Sequence, residues 1–189
     1  MDIKKQIEEF VPYNEQEEAD KKVFLKWLDI SPEIFTRENV FAHFTSSNII
    51  LNKKRDKVLL IYHNIYDSWG WTGGHADGDK DLLHVALKEA EEETGLKSIR
   101  VLDPNIFIID ALAVFGHFKR GAYVSDHIHL NVAYLLEADE EEEVHIKPDE
   151  NSGVKWIDIN EITKITTESH MVPVYEKIIN KMKDLGYIS

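Results

Sequence analysis

Apolar positions recur at helical spacing from Ile3 to about Ile30, where Val23, Phe24, Trp27 and Leu28 form a stripe and Pro12 interrupts the pattern early. This predicts an N-terminal helical extension, residues 1–40, ahead of a main domain at 41–189. Near Phe41 the period changes. HFTSSNIIL, the polar turn KKRDK and VLLIYH predict two strands joined as a hairpin. Further on, IRVLD, IFIIDALAVFGHF and HIHLNVAYLLEA are rich in branched and aromatic residues and read as strands. DEEEEVHIKPDEN reads as a solvated loop, and GVKWIDI as a short strand leading into a helical turn at Asn160 to Ile165. MVPVYEKIINKMKDLG then closes the chain as an amphipathic helix ending at Gly186.

Between the strands lies GGHADGDKDLLHVALKEAEEETGL, from Gly73 to Leu96. Asp81 is placed to cap a helix starting at Leu82, and Gly95 stands just beyond its last turn. On that helix Glu89, Glu92 and Glu93 stand at i, i+3 and i+4 and share one arc of roughly 100°. Leu83, Ala86, Leu87 and Ala90 fill the neighbouring arc, while His84, Lys88 and Glu91 point away. Carboxylates so close repel one another unless a cation sits among them, and hard oxygen ligands suit Mg²⁺ or Mn²⁺. The alternative is a solvated acidic face in a chain with 35 Asp plus Glu. The strand ending in Gly73 and Gly74 favours the metal reading, because absent side chains let backbone groups approach a metal or phosphates.

The 189 residues, 43% hydrophobic and 30% charged, suffice for one buried core. A net charge of −13 with no basic stripe argues against nucleic-acid binding. The absence of cysteine excludes disulfides, thiolate metal sites and cysteine nucleophiles. MDIKKQIEEFVPY lacks the apolar run of a signal peptide, and no apolar segment is long enough to span a bilayer, so the expected location is cytoplasmic, with no membrane partner.

The stretch from Gly74 to Leu96 resembles the Nudix box, G-x5-E-x7-R-E-U-x-E-E-x-G-U, with U a bulky aliphatic residue. Gly74, Glu89, Glu92, Glu93, Gly95 and Leu96 match. Lys80 replaces the first Glu, Lys88 the Arg, and Ala90 the aliphatic. The order of strands from about His43 to Ile165 also follows the family. The resemblance implies an α/β fold, a Nudix-like α/β/α sandwich with a mixed central sheet. It further implies a divalent-metal-dependent hydrolase of a diphosphate bond in a nucleoside diphosphate linked to another group, or in a related nucleotide. Glu89, Glu92 and Glu93 would hold Mg²⁺ or Mn²⁺, with Glu92 and Glu93 catalytic and Gly73 a backbone contributor. Glu150, six residues before Trp156, is the candidate for a further carboxylate, against the reading of a solvated loop acid.

Around that site, Trp69 and Trp71 offer rings to stack on a base, core packing being the other role for at least one of them. Alternation puts His127, His129 and Asn131 on one sheet face, and Ile128, Leu130, Val132 and Tyr134 on the other, as core. His127 and His129 are read as lining the substrate cleft rather than binding zinc, because no third ligand stands at a suitable spacing, with a satisfied structural role as the other reading. In the loop ending at Gly121, Lys119 and Arg120 offer charge to substrate phosphates, Arg120 being the candidate, against a solvated turn. The changes at Lys80 and Lys88 keep alive a catalytically reduced nucleotide-binding or sensing module. If the box is active, Asp79 or Asp81 is expected to contact Lys88 while Lys80 turns outward to solvent or toward a substrate phosphate. The same box occurs in diphosphate isomerases, whose chemistry uses a cysteine that this chain lacks. The expected partner is a small nucleoside diphosphate derivative, and a homodimer is left open.

Overall fold

The computed structural model describes residues 2–119 and 121–189. In chain order the elements are α1 (Ile3–Glu9), α2 (Glu15–Ile30), a 3-10 turn (Pro32–Phe35), β1 (Ala42–Asn52), β2 (Lys57–His63), β3 (Ser68–Gly70) and β4 (Thr72–His75). Then follow α3 (Leu82–Thr94), β5 (Arg100–Val114), β6 (His117–Lys119), β7 (Ala122–Val124), β8 (His127–Ala138) and β9 (Asn151–Asp158). A 3-10 turn (Ile159–Glu161), α4 (Ile162–Ile165) and α5 (Val172–Asp184) complete the chain.

Pro12 falls in the break between α1 and α2, and Asn14 caps α2 by accepting from the Glu17 amide at 3.0 Å. The hairpin predicted around KKRDK is the antiparallel β1–β2 pair. IRVLD and IFIIDALAV are one continuous strand, β5, with register shifts against β8 near Asp103, where separate strands were expected. FGHF does not prolong β5, because its HF begins β6, which pairs with β7 as a hairpin apart from the main sheet.

The sheet runs β3-β2-β1-β8-β5, with β9 on β2 and β4 on β1. It is mixed, since β1 and β8 are parallel while the other pairs are antiparallel. On one edge of β1 the partner changes along the strand: Thr45 to Asn48 face β4, and Ile50 and Leu51 face β2. Alternation along each strand feeds two cores. Phe44, Ile50, Leu130 and Val132 pack with α1, α2 and α3, whereas Ile49, Leu51, Ala133 and Leu135 pack with Tyr175, Ile178 and Met182 of α5. This is the expected α/β/α sandwich. Ile128 departs from its expected place in the core, being 36% exposed at the start of β8.

The outer edge of β5 is covered by charge. Lys177 on α5 meets Asp110 at 2.6 Å and Glu17 on α2 at 3.4 Å, and Lys181 meets Glu17 at 3.1 Å, all four side chains being buried. Lys177 also donates to the Ile109 carbonyl, and Asp20 accepts from the Ala111 amide. Polar groups of an edge strand that would otherwise invite another strand are thereby taken up. Among the described residues no helix is long and apolar enough to cross a membrane.

Candidate active site

The α3 helix forms as its sequence predicts. Asp81 accepts from the His84 amide at 3.1 Å, and Gly95 ends the helix in the left-handed region at φ 77. Leu82, Val85, Ala86 and Ala90 form its buried stripe, with Leu83 and Leu87 only partly covered, so the helix is rotated slightly from the expected arc. Two polar side chains of β1 fasten it to the sheet: Ser46 donates to the Leu82 carbonyl and Asn48 to the Ala86 carbonyl.

This docking brings the carboxylate row against β4. The Gly73 amide donates to Glu93 at 2.9 Å. At Gly74 a Cβ would fall 2.5 Å from the Glu89 carboxyl carbon, and at Gly73 it would fall 2.7 Å from the Ser46 carbonyl. Gly73 is required by close approach to the β1 backbone rather than by an unusual dihedral angle, whereas at Gly74 the neighbour is the end of the flexible Glu89 side chain, which a Cβ would push aside. Glu93 is 3% exposed, Glu89 is half-buried and Glu92 is exposed. Burial pushes the Glu93 carboxyl up to about 8, and the charges of Glu89 and Glu150 add to it against the Gly73 hydrogen bond. Burial also raises Glu89, whereas the hydrogen bond from Lys147 lowers Glu92.

Lys147 is the residue that sequence reasoning missed. Its ammonium lies 3.0 Å from Glu92 and 3.0 Å from Glu150, so it draws the loop acid Glu150 to the helix. Asn151 helps to hold that loop, donating to the Glu93 backbone carbonyl at 3.0 Å. The three-residue spacing of Lys147 and Glu150 was a visible signal for their pairing, but nothing local pointed to Glu92.

Of the two box lysines, Lys80 is exposed, as expected, whereas Lys88 does not make the expected contact. Asp79 pairs with His84 at 2.8 Å and Asp81 caps the helix, so neither is the partner of Lys88. Lys88 instead lies 3.8 Å from Glu89 and 3.7 Å from Glu92. The Lys80 ammonium sits over the Phe35 ring, 5.7 Å from its centroid.

Trp71 is buried edge-on against Tyr175, a core role, and Trp69 is half-buried edge-on against Tyr62. Arg120 lies outside the described residues. His127 and His129 join an imidazole group of their own: their Nε2 atoms are 3.2 Å apart, and His43 and His75 complete a cluster with ring centroids about 5 Å apart. Of the two, His129 alone has a ring nitrogen within 4.8 Å of one from His43 and one from His75, which sheet pairing brings from β1 and β4 and which spacing along the chain did not reveal.

Sequence and fold comparisons agree with this architecture. The NUDIX domain family matches residues 42–178. An RNA pyrophosphohydrolase of Pelagibacter ubique (strain HTCC1062) is 27% identical over 142 residues, covering 72% of this chain and 89% of that protein. A probable DHNTP pyrophosphohydrolase of Lactococcus lactis subsp. cremoris (strain MG1363) is 28% identical over 145 residues, covering 75% of this chain and 81% of its own length. The crystal structure of a C. elegans Ap4A hydrolase binary complex shares the fold, with TM-score 0.54 at 16% identity, over 75% of this chain and 98% of that one. The chain belongs to the NUDIX domain family and is a Nudix-type hydrolase. Enzymes of this kind generally use divalent metals.

Proposed function

We propose that this chain hydrolyses a diphosphate bond in a nucleoside diphosphate linked to another group, or in a related nucleotide, with Mg²⁺ or Mn²⁺ held by Glu89, Glu92 and Glu93. The observation that carries this reading is the burial of Glu93 beside Glu89 against two glycines, with backbone N–H as its direct donor. Several negative oxygens gathered where one carboxyl is raised to about 8 form a hard, anionic donor set, which fits Mg²⁺ or Mn²⁺. When bound there, such a cation supplies charge neutralisation for a diphosphate and makes a water more acidic.

The chain's own groups have separable parts. Gly73 orients Glu93 by donating to Oε2, which leaves Oε1 as the atom able to hold or move a proton. The Glu89 carboxyl occupies the space that Gly74, lacking a side chain, leaves beside it. Lys147 balances Glu92 and Glu150, alongside Lys88 near Glu89 and Glu92, and is proposed to meet substrate phosphate oxygens. Glu150 is proposed as the further carboxylate of the site, and Trp69 as a surface for the base. Residues 1–40 are proposed as an extension to the hydrolase domain at 41–189.

The names of the two relatives, pyrophosphohydrolases of RNA and, probably, of DHNTP, support phosphoanhydride substrates and leave the leaving group open. A product screen with Mg²⁺ and Mn²⁺ across nucleotide sugars, dinucleoside polyphosphates, ADP-ribose, nucleoside triphosphates and dinucleotide cofactors tests the proposal. Metal-dependent release of a phosphate-bearing product is expected for at least one class. No turnover on any of them, together with clear activity in the Lys80→Glu, Lys88→Arg double variant, would instead mark a disabled box that binds its nucleotide.

A further inference from the structure

From the register of three neighbouring strands we infer a second cation site in this protein, a transition-metal site of imidazoles built by His43, His75 and His129 and suited to Zn²⁺. His43 on β1 stands directly across from His129 on β8, and Thr45, two residues along the same face of β1, stands across from His75 on β4. One ligand nitrogen from each histidine falls within 4.8 Å of the other two. Closing on one ion would bring these nitrogens to about 3.4 Å, the tetrahedral separation for Zn–N bonds of ~2.1 Å. The required movement is that of side chains, since the strands already hold the register.

The chemistry of His43 points the same way. The residue is 5% exposed, and its Nδ1 lies 3.1 Å from the Asn39 carbonyl, the partner that places the proton on Nδ1. Its Nε2 is then a bare lone pair, buried and without a hydrogen-bond partner among the described residues. A buried acceptor left open costs stability unless something fills it, and the ring atoms around it belong to three other histidines. His127 holds the side of the cluster: its Nδ1 lies 2.8 Å from the Ser125 carbonyl and its Nε2 meets His129.

Three imidazole ligands select a borderline cation such as Zn²⁺ over Mg²⁺, whereas the carboxylate row on α3 prefers the reverse. Three protein ligands also leave a fourth position for water or a ligand atom. The strand β4 joins the two sites in sequence, because Gly73 and Gly74 hold the acids and His75 is the next residue. Zn²⁺ on His75 therefore anchors the strand against which Glu89 and Glu93 are set.

The test uses the full chain stripped of metal, kept in millimolar Mg²⁺ to fill the carboxylate row, and titrated with Co²⁺. Co²⁺ absorbs strongly in the visible in four-coordinate surroundings and weakly in six-coordinate ones. One equivalent of Co²⁺ should give the intense absorption, and one equivalent of Zn²⁺ should bleach it. His75→Ala, at a half-buried position, should lose the absorption and weaken Zn²⁺ binding by roughly 100-fold while keeping its melting transition. His43→Gln should do the same, and Glu93→Gln should retain the absorption. Absence of the intense bands in the wild type, their persistence in His75→Ala, or their loss in Glu93→Gln alone would overturn the site. The outcome is independent of hydrolysis, so it stands or falls apart from the proposed activity.

Discussion

Glu17 on α2 and Glu93 on α3 are both buried acids, with exposures of 0% and 3%, yet they are surrounded in opposite ways. Around Glu17 stand the ammonium groups of Lys177 and Lys181 and the Tyr13 amide, so its charge is met by protein alone. Around Glu93 stand one backbone amide and the carboxylates of Glu89 and Glu150, and burial has already raised its carboxyl to about 8. The two ammonium groups at that row are engaged with its other acids, Lys147 with Glu92 and Glu150 and Lys88 near Glu89 and Glu92, which leaves four carboxyl groups to two lysines. The first arrangement is closed and serves the fold, joining α2 and α5 over the edge of β5. The second is short of positive charge, which is the condition expected of a site that takes a cation from solution.

Substitutions should separate the two. The largest effect belongs to Glu93→Gln, which keeps the shape but loses the charge. Hydrolysis of the best substrate should fall by roughly 10²–10³-fold, while the melting temperature without metal holds or rises. Glu91→Gln, on the exposed side of α3, should change little. Wild-type turnover in Glu93→Gln would remove that residue from the chemistry. For Glu17→Leu the expectation reverses, with activity per folded molecule kept and stability lost by about 3–5 kcal/mol, because Lys181 is left buried without its acid. In a chain of this size that corresponds to a melting temperature lower by roughly 6–20 °C. An unchanged melting curve would mean that the cluster is dispensable.

The pH dependence sharpens the same contrast. Burial pushes the Asp110 carboxyl up to about 6, the Lys177 pair notwithstanding. The unfolded chain binds that proton only below about 3.9, so the group's contribution to stability is complete below that value and is lost as pH rises through about 6. Asp110→Asn is neutral throughout and should gain on the wild type in melting temperature between pH 4 and pH 7. A gap that stays flat, or moves against the variant, would contradict this. The smallest effect is expected for Lys147→Met, which should tighten Mg²⁺ binding a few-fold by freeing Glu92 and Glu150, as suits a partly exposed pair worth ~1 kcal/mol or less. Weaker Mg²⁺ binding would instead make Lys147 a supporting member of the site.

Much of this architecture is legible along the chain because it is local. Asp81 and Gly95 bound α3 by capping chemistry, the spacing of Glu89, Glu92 and Glu93 fixes a shared arc, and the turn between Asn52 and Lys57 closes a hairpin. What could not be read depends on which strands become neighbours. His43, His75 and His129 lie on three separate strands and meet only through parallel pairing of β1 with β8 and antiparallel pairing of β1 with β4. Lys147 reaches Glu92 only once its loop is pinned by Asn151, and Lys88 finds Glu89 and Glu92 because His84 has taken Asp79. Side-chain partners of this kind are set by competition in the folded state, which spacing alone does not record.

The contrast between the closed and the open acid clusters is tested most directly by melting the metal-stripped chain with and without millimolar Mg²⁺, a cation that imidazoles disfavour. Binding to the folded state alone raises the melting temperature by mass action. The wild type and Glu17→Leu should both shift upward, and Glu93→Gln should shift much less. A wild-type melting curve indifferent to Mg²⁺, or an equal shift in Glu93→Gln, would contradict a cation site at the α3 carboxylates.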